Sequence, residues 1–335
     1  MTQSPGRYRL FGAELSPYSI KVRSYLRYKG LPHDWILRDQ SNETEFRALA
    51  KLPLVPLLVT PDGTVLQDST PILERLEQLH PEPSIHPPGE VAGFVSALLE
   101  EYGDEWGNKG MFHYRWTYEP DQASAARRIA GEMMPGIDEA TLAQAVEMVR
   151  GRMVPRLSFV GSSAATRDSI EGSFLRQVDI LEKHLESRPY LFGGRPAFAD
   201  FGVYAQIRQA ATDPTPGALL RERAPRVLAW TERMLSPRAE GEFESWESVA
   251  PTLLPLVREE VAGVFLPWST ANAKALLAGE KEFSLEIGGR PFRQEAQKYH
   301  ARSLDVLRKR LAAVPERTAL DRVLADTDCL RWLRD

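Results

Sequence analysis

The stretch Glu14 to Gly30, ELSPYSIKVRSYLRYKG, sets a hydroxyl at Ser16 directly before a proline and a helix-like run. Ser before Pro is a common way to open a helix, because the side-chain oxygen accepts from a free first-turn amide while proline has none to satisfy. The same spot attracts an anion, since unpaired amides point out of a helix N-terminus. Capping and anion holding therefore need the same position, and Tyr18 and Ser19 stand beside it as further hydroxyls. A second pair, Asp68-Ser69, precedes a run with Pro71 in its first turn and Ile72, Leu73 and Leu76 on one face. It too offers a cap and an anion site together. Between them lies Val55-Pro56, an X-Pro bond leading into an apolar strand; such bonds are usually trans.

Cys329 is the only cysteine, so an intramolecular disulfide, a CxxC pair and a Cys-rich zinc site are all excluded. Thiol chemistry in this chain uses a thiol that arrives with a ligand. The six histidines (33, 80, 86, 113, 184, 300) show no HExxH or HxH spacing, and no metal is expected.

The elements that must hold these residues follow from local signals. Tyr8 to Phe11 reads as a strand, Ser16-Pro17 opens a helix that Gly30 ends, and His33 to Leu37 reads as a second strand before a charged helical stretch over Glu43 to Lys51. PLLVTPDGTVLQD gives two runs around Pro61-Asp62-Gly63, a hairpin signal, and the helix after Asp68-Ser69 completes the order β-α-β-α-β-β-α of a thioredoxin-like domain. HPEPSIHPPGE, residues 80 to 90, cannot continue a helix and marks a linker. Beyond it the pattern is helical. It is clearest from Arg167 to Ser187, where Ile170, Phe174, Val178, Leu181 and Leu185 share a face, and it returns over Leu219 to Met234, with Pro225 starting a fresh helix. Residues 236 to 335 are helical again except for FSLEIGGRPF, a hairpin over Gly288-Gly289.

Length and composition agree with two domains: 335 residues, 43% apolar and 26% charged. A formal net charge of −4, with both signs interspersed, gives no field that gathers nucleic acid or an anionic membrane. The N-terminus has no apolar signal core, and LPLVPLLV is too short and too proline-broken to span a bilayer. A cytoplasmic protein without a nucleic-acid or membrane partner is expected.

Four stretches in order resemble the glutathione transferase superfamily: SPYSIKVRSYLRYKG, Val55-Pro56, QDSTPILERLE, and RPYLFGGRPAFADFGVYAQI. The resemblance implies an α/β thioredoxin-like N-terminal domain followed by an all-α C-terminal domain. Its boundaries would be residues 1–80 for the glutathione-binding domain, 81–90 for the linker and 91–335 for the helical domain, extended beyond the family's usual length from about 236. It places Ser16 where the family carries its catalytic Ser or Cys, with Tyr18 or Ser19 as nearby substitutes. It implies a cis bond at Val55-Pro56 that presents Val55 to the cysteinyl backbone of glutathione, and Ser69 on the γ-glutamyl carboxylate with Asp68 near the ammonium. Asp68 and Ser69 read alone are merely a cap.

Glutathione's thiol, like that of cysteine, ionises near ~8.5 when free, and bringing it to ~6.5 takes ~2.7 kcal/mol of preferential thiolate stabilisation. One hydroxyl hydrogen bond at ~1.5–3 kcal/mol and a helix terminus at ~0.3–1 kcal/mol suffice. Two departures stand out. Pro53-Leu54 occupies the place where family members often have Gly-Lys, leaving Lys51 as the candidate for the glycyl carboxylate, and Ala197 replaces a Ser or Thr cap, so Asp200 is expected to satisfy the first-turn amides alone. The rings of Trp106, Phe112, Tyr114 and Trp116 either pack a helical core or line an acceptor pocket. The implied function is activation of the glutathione thiol for attack on a small hydrophobic electrophile, by a homodimer. The alternatives are a glutathione-dependent isomerase, dehalogenase or etherase, and a non-catalytic binding or interaction protein on the same fold.

Overall fold

The computed structural model describes residues 6–334; residues 1–5 and 335 of the segments read above lie outside the described residues. β1 (Tyr8–Gly12) runs parallel to β2 (His33–Leu37), with Leu10 opposite Trp35, and antiparallel to β3 (Leu57–Val59), with Leu10 opposite Leu58. β4 (Val65–Gln67) pairs antiparallel with β3 and completes the order β2-β1-β3-β4. Between β1 and β2 comes α1 (Pro17–Tyr28), before β3 comes α2 (Glu43–Leu49), and after β4 comes α3 (Ser69–Leu79).

The strand alternation decides which helix covers which face. Leu10 and Leu58 join Ile20, Val22, Ile72, Leu73 and Leu76 in the main core, so α1 and α3 share one side. Phe11, Leu57 and Val59 point the other way and meet Phe46 of α2. Two glycines punctuate the domain. Gly30, at φ 62, follows the end of α1, and Gly63, at φ 84, allows the tight turn between β3 and β4.

Beyond the linker, α4 (Glu90–Tyr102) continues through a π-helical stretch, Gly103–Gly107, into α5 (Asn108–Thr117). Then come α6 (Glu119–Met133), α7 (Glu139–Met153), a 3₁₀ segment over Val154–Val160, α8 (Arg167–His184), α9 (Phe198–Ala211), α10 (Pro214–Arg223) and α11 (Pro225–Arg233). The break at Pro225 falls where the sequence places it. α8 stops earlier than the apolar pattern predicts, because Leu185 closes the last turn while the His184 ring binds Thr252 Oγ1 at 2.8 Å and the Leu191 carbonyl at 2.9 Å.

α9 is the central helix. Where it crosses α4, a Cβ on Gly103 would fall 2.7 Å from the Gly202 backbone, and one on Gly202 would fall 2.6 Å from the Glu100 carbonyl. Only this glycine pair lets the backbones touch, and the contact fixes the end of α4 against α9. Tyr204 Oη donates to the Ile20 carbonyl at 3.1 Å, tying α9 to α1 as well.

After residue 236 the chain forms α12 (Trp246–Leu256), a π-helical stretch over Val257–Phe265, and α13 (Leu266–Ala278). The hairpin of β5 (Glu282–Ile287) and β6 (Arg290–Glu295) turns over Gly288 and Gly289, both at positive φ. It is followed by α14 (Lys298–Ala312), α15 (Thr318–Asp326) and α16 (Leu330–Leu333). This segment shares the main core: Trp106 meets Trp268 edge-on at 5.6 Å between ring centroids and Phe292 at 5.6 Å. No helix among the described residues is long and apolar enough to cross a membrane.

Candidate functional site

Ser16 is the N-cap of α1, at extended φ −94, and its Oγ accepts from the Ser19 amide at 3.2 Å. Pro17 fills the first helical position. A hydroxyl that accepts from an amide keeps its own proton to donate, and Ser16 is only half-buried, so cap and donor coexist. The two neighbouring hydroxyls are placed differently. Tyr18 Oη donates to the Asp104 carbonyl at 3.0 Å, and burial pushes its pKa well up, so it is a neutral donor already engaged. Ser19 is fully buried, with its Oγ unpartnered.

The Val55–Pro56 peptide is cis. Val55 is half-buried just before β3, and its amide and carbonyl bond to nothing among the described residues. The preceding loop is braced by Gln67, whose amide group donates to the carbonyls of Leu52 and Leu54, both at 2.7 Å, and whose oxygen accepts from the Leu52 amide at 3.1 Å. Lys51 is exposed and forms no ion pair among the described residues. The guanidinium of Arg38, which the sequence did not single out, donates to the Pro53 carbonyl at 2.8 Å and pairs with Glu43.

Asp68 and Ser69 sit where β4 hands over to α3, but the bare capping account of Asp68 is corrected. Asp68 occupies the N-cap position without capping: its carboxylate makes no bond to the first turn, and Asp68 Oδ2 accepts from Tyr299 Oη at 2.8 Å. The reason lies in the backbone, which takes φ 81 and ψ 133 and turns the side chain away from the helix. Ser69, fully buried, donates at 3.4 Å to Asp104 Oδ2.

Asp104 belongs to a group that sequence reading missed. Lys21 is completely buried and pairs with Glu100 and, at 2.6 Å, with Asp104. Thr70 Oγ1 also contacts both acids. Burial opposes the lysine's charge, yet the two carboxylates override it and raise its pKa. One cation cannot satisfy two buried acids. Desolvation accordingly pushes Glu100 up to about 7 and raises Asp104, while Glu101 beside them is raised further by burial and by Glu100. Glu100 Oε2 and Asp104 Oδ1 have no partner. The signal was present in outline: Lys21 lies one turn from both Pro17 and Tyr25 on the buried stripe of α1, and 100–105 reads EEYGDE.

The rings of the 100–120 segment divide. Trp106, Tyr114 and Trp116 are buried; Phe112 is half-buried and packs with Leu15, next to Ser16, around Trp116, Ala126 and Ala130. Asp200 is corrected in detail. It does take the N-cap amide of α9, from Ala197 at 2.8 Å, but not alone: the Phe198 and Ala199 amides go to the Ile85 carbonyl at 2.7 Å and Ser96 Oγ at 3.1 Å, and Asp200 also accepts from the upstream Leu191 amide at 3.0 Å and from Trp230 Nε1 at 2.9 Å. Ala197 has no acceptor of its own, so the carboxylate reaches back and draws three separate elements together.

Comparison with known proteins agrees with this layout. Residues 10–84 match the family described as glutathione S-transferase, N-terminal domain, and residues 164–233 match glutathione S-transferase, C-terminal domain. An isoprene-epoxide–glutathione S-transferase from Rhodococcus sp. (strain AD45) is 24% identical over 235 residues, covering 66% of this chain and 92% of the relative. The crystal structure of a β-etherase from Sphingobium sp. strain SYK-6 is similar in fold, with a TM-score of 0.50 at 21% identity, covering 68% of this chain and 94% of the other.

Proposed function

The chain belongs to the glutathione transferase superfamily, and on that premise we propose that it binds glutathione along the N-terminal domain and activates its thiol at Ser16 for attack on a small hydrophobic electrophile. In this reading Val55 pairs with the cysteinyl backbone ahead of the cis Pro56, Ser69 takes the γ-glutamyl carboxylate at the N-terminus of α3, and Asp68 faces the ammonium. Catalysis comes from supplying and orienting a thiolate. The observation that carries the reading is Ser16 itself, a half-buried hydroxyl at the N-terminus of α1 whose oxygen accepts from Ser19 and whose proton is uncommitted. An epoxide is the first electrophile to try, because the Rhodococcus relative is named for one. Ether cleavage comes next. A division into residues 1–80, a linker over 81–90 and a helical domain over 91–335, a homodimer and a cytoplasmic location belong to the same proposal.

A non-catalytic binding protein is the second reading, favoured by one observation: Leu54 stands before Val55 and Lys51 is exposed without a partner. Calorimetry and thermal denaturation with glutathione, followed by product analysis with epoxides and aryl ethers, separate the two. Glutathione at about 100 times its dissociation constant should add about 2.7 kcal/mol of stability. Absence of binding at millimolar glutathione refutes the first reading and favours the second, with another ligand; binding without turnover of any electrophile also selects the second.

A further inference from the structure

The segment beyond residue 236 reaches back to the N-terminal domain through α14. Tyr299 binds Asp68, His300 pairs with Glu105, Ser303 Oγ donates to Glu101, and Arg310 pairs with Glu74. Between α3, the end of α4 and α14 lies a cavity of about 100 Å³, large enough for a few water-sized polar groups. Asp68, Thr70, Glu101, Asp104, Tyr299 and Arg302 line it. Arg302 is exposed, forms no ion pair among the described residues, and is the one basic residue in the lining.

The charges around this cavity do not balance. Lys21 is the one cation paired with Glu100 and Asp104 among the described residues, and Asp104, 7% exposed, leaves Oδ1 without a partner. A buried carboxylate oxygen without a donor is costly, so the cavity favours a cation at Asp104. Arg302 and the N-terminus of α3, which itself adjoins Asp104 through Ser69 and Thr70, also border the cavity and favour an anion. A ligand carrying an ammonium and a carboxylate on one carbon meets both demands. The γ-glutamyl head of glutathione is such a group.

Resting on the reading of the site as a glutathione site, we propose that α14 completes the pocket for the γ-glutamyl head: Arg302 takes the α-carboxylate, while Asp104 and the Asp68 carboxylate held by Tyr299 take the ammonium. Arg302 and Tyr299 are then specificity-determining residues supplied from 231 positions beyond the groove they serve. Of the two, Arg302 touches the ligand and Tyr299 positions Asp68.

The test is calorimetric binding of three tripeptides to the full chain and to the variants Arg302→Gln and Tyr299→Phe, both at exposed positions. The tripeptides are glutathione, 4-aminobutyryl-cysteinylglycine, which lacks the α-carboxylate, and glutaryl-cysteinylglycine, which lacks the ammonium. Arg302→Gln should weaken glutathione and the glutaryl peptide about ten-fold and leave the aminobutyryl peptide unchanged, as the loss of one charged hydrogen bond dictates. Tyr299→Phe should weaken only the two ammonium-bearing peptides. If wild type binds glutathione and Arg302→Gln binds all three peptides as wild type does, this inference is overturned while the glutathione site stands. If wild type binds none of them, both fall.

Discussion

Replacing Ser16 by Ala separates its two roles, because they act on different quantities. The cap role concerns stability: losing the acceptor for the Ser19 amide should cost about 0.5–2 kcal/mol. The donor role concerns the bound thiol. A hydroxyl donating to a thiolate contributes about 1.5–3 kcal/mol, equivalent to about one to two units of thiol pKa. Some of that is recovered, because the variant frees the Ser19 amide at the same helix terminus, and Pro17 has no amide to add. The net expectation is a rise in the pKa of bound glutathione by about one unit or more and a drop in kcat/KM of about ten-fold or more near neutral pH. Above the free thiol's ionisation near ~8.5 the deficit should shrink, since glutathione then arrives as thiolate without help. The assay is a pH series of kcat/KM together with the ultraviolet absorbance of bound thiolate. An unchanged thiol pKa in Ser16→Ala refutes the donor role outright. The companion variant Ser19→Ala removes a buried hydroxyl that has no partner, so it should leave both pKa and stability near wild type. A large kinetic effect there would move the role to Ser19.

Other expectations concern stability and its pH dependence. His184 is held neutral by burial, with its pKa pushed down to about 4, against ~6.5 in an unfolded chain. Between those values the unfolded state binds the extra proton, so the fold loses about 1.4 kcal/mol per pH unit on acidification, roughly 3 kcal/mol in all, and His184→Gln should flatten that part of a urea-midpoint series from pH 7 to pH 4. Asp200→Ala strands three buried donors, at Leu191, Ala197 and Trp230, and should cost about 3 kcal/mol or more, read as a fall in Tm of roughly 10 °C. Asp68→Gly should relieve a backbone held at φ 81 and raise stability by about 1 kcal/mol while weakening glutathione binding about ten-fold, the first read by denaturation and the second by calorimetry.

What could be read from the sequence was local. Ser before Pro17, Gly30 after α1, Asp62-Gly63 in the β3–β4 turn and the alternation of Leu10 with Phe11 are decided by neighbours a few positions away, and each element they predict is present. The helix N-termini at Ser16 and Ser69 were legible for the same reason. The rest of the pocket depends on contacts between distant segments. Lys21 meets acids 79 and 83 positions later, and Tyr299 meets Asp68 across 231 positions, with no periodicity or turn chemistry to announce either. The aromatic segment around 100–120 drew notice for its rings, whereas the residues that pair with Lys21 of α1 are its acids, Glu100 and Asp104. Asp200 takes the N-cap amide of its helix as expected, but its partners Leu191 and Trp230 and the Ile85 and Ser96 groups that serve the next amides all lie in other segments and were not legible.

Three unfavourable features meet beside the start of α3, although each also occurs elsewhere: Asp328 stands at φ 63, Asp121 Oδ2 has no partner, and a second π-helical stretch runs over Val257–Phe265. Asp68 holds a backbone quadrant that side-chain-bearing residues avoid, at a cost of about 1–3 kcal/mol. Within hydrogen-bonding reach of its neighbour Ser69, Asp104 carries an unpartnered buried oxygen, and Glu100 carries another. The stretch that presents Asp104 is π-helical, a geometry that regular α-helical pairing would replace if packing were the only requirement. A purely structural role would be met more cheaply, by glycine at 68 and by a neutral or apolar residue at 104. Strain, a missing counter-charge and an irregular helix meet at one small cavity, and an ammonium group set between the Asp104 and Asp68 carboxylates would answer the electrostatic part. The ligand then contributes to folding stability as much as it draws from the pocket. That is why denaturation with and without glutathione reads the same free energy as binding does.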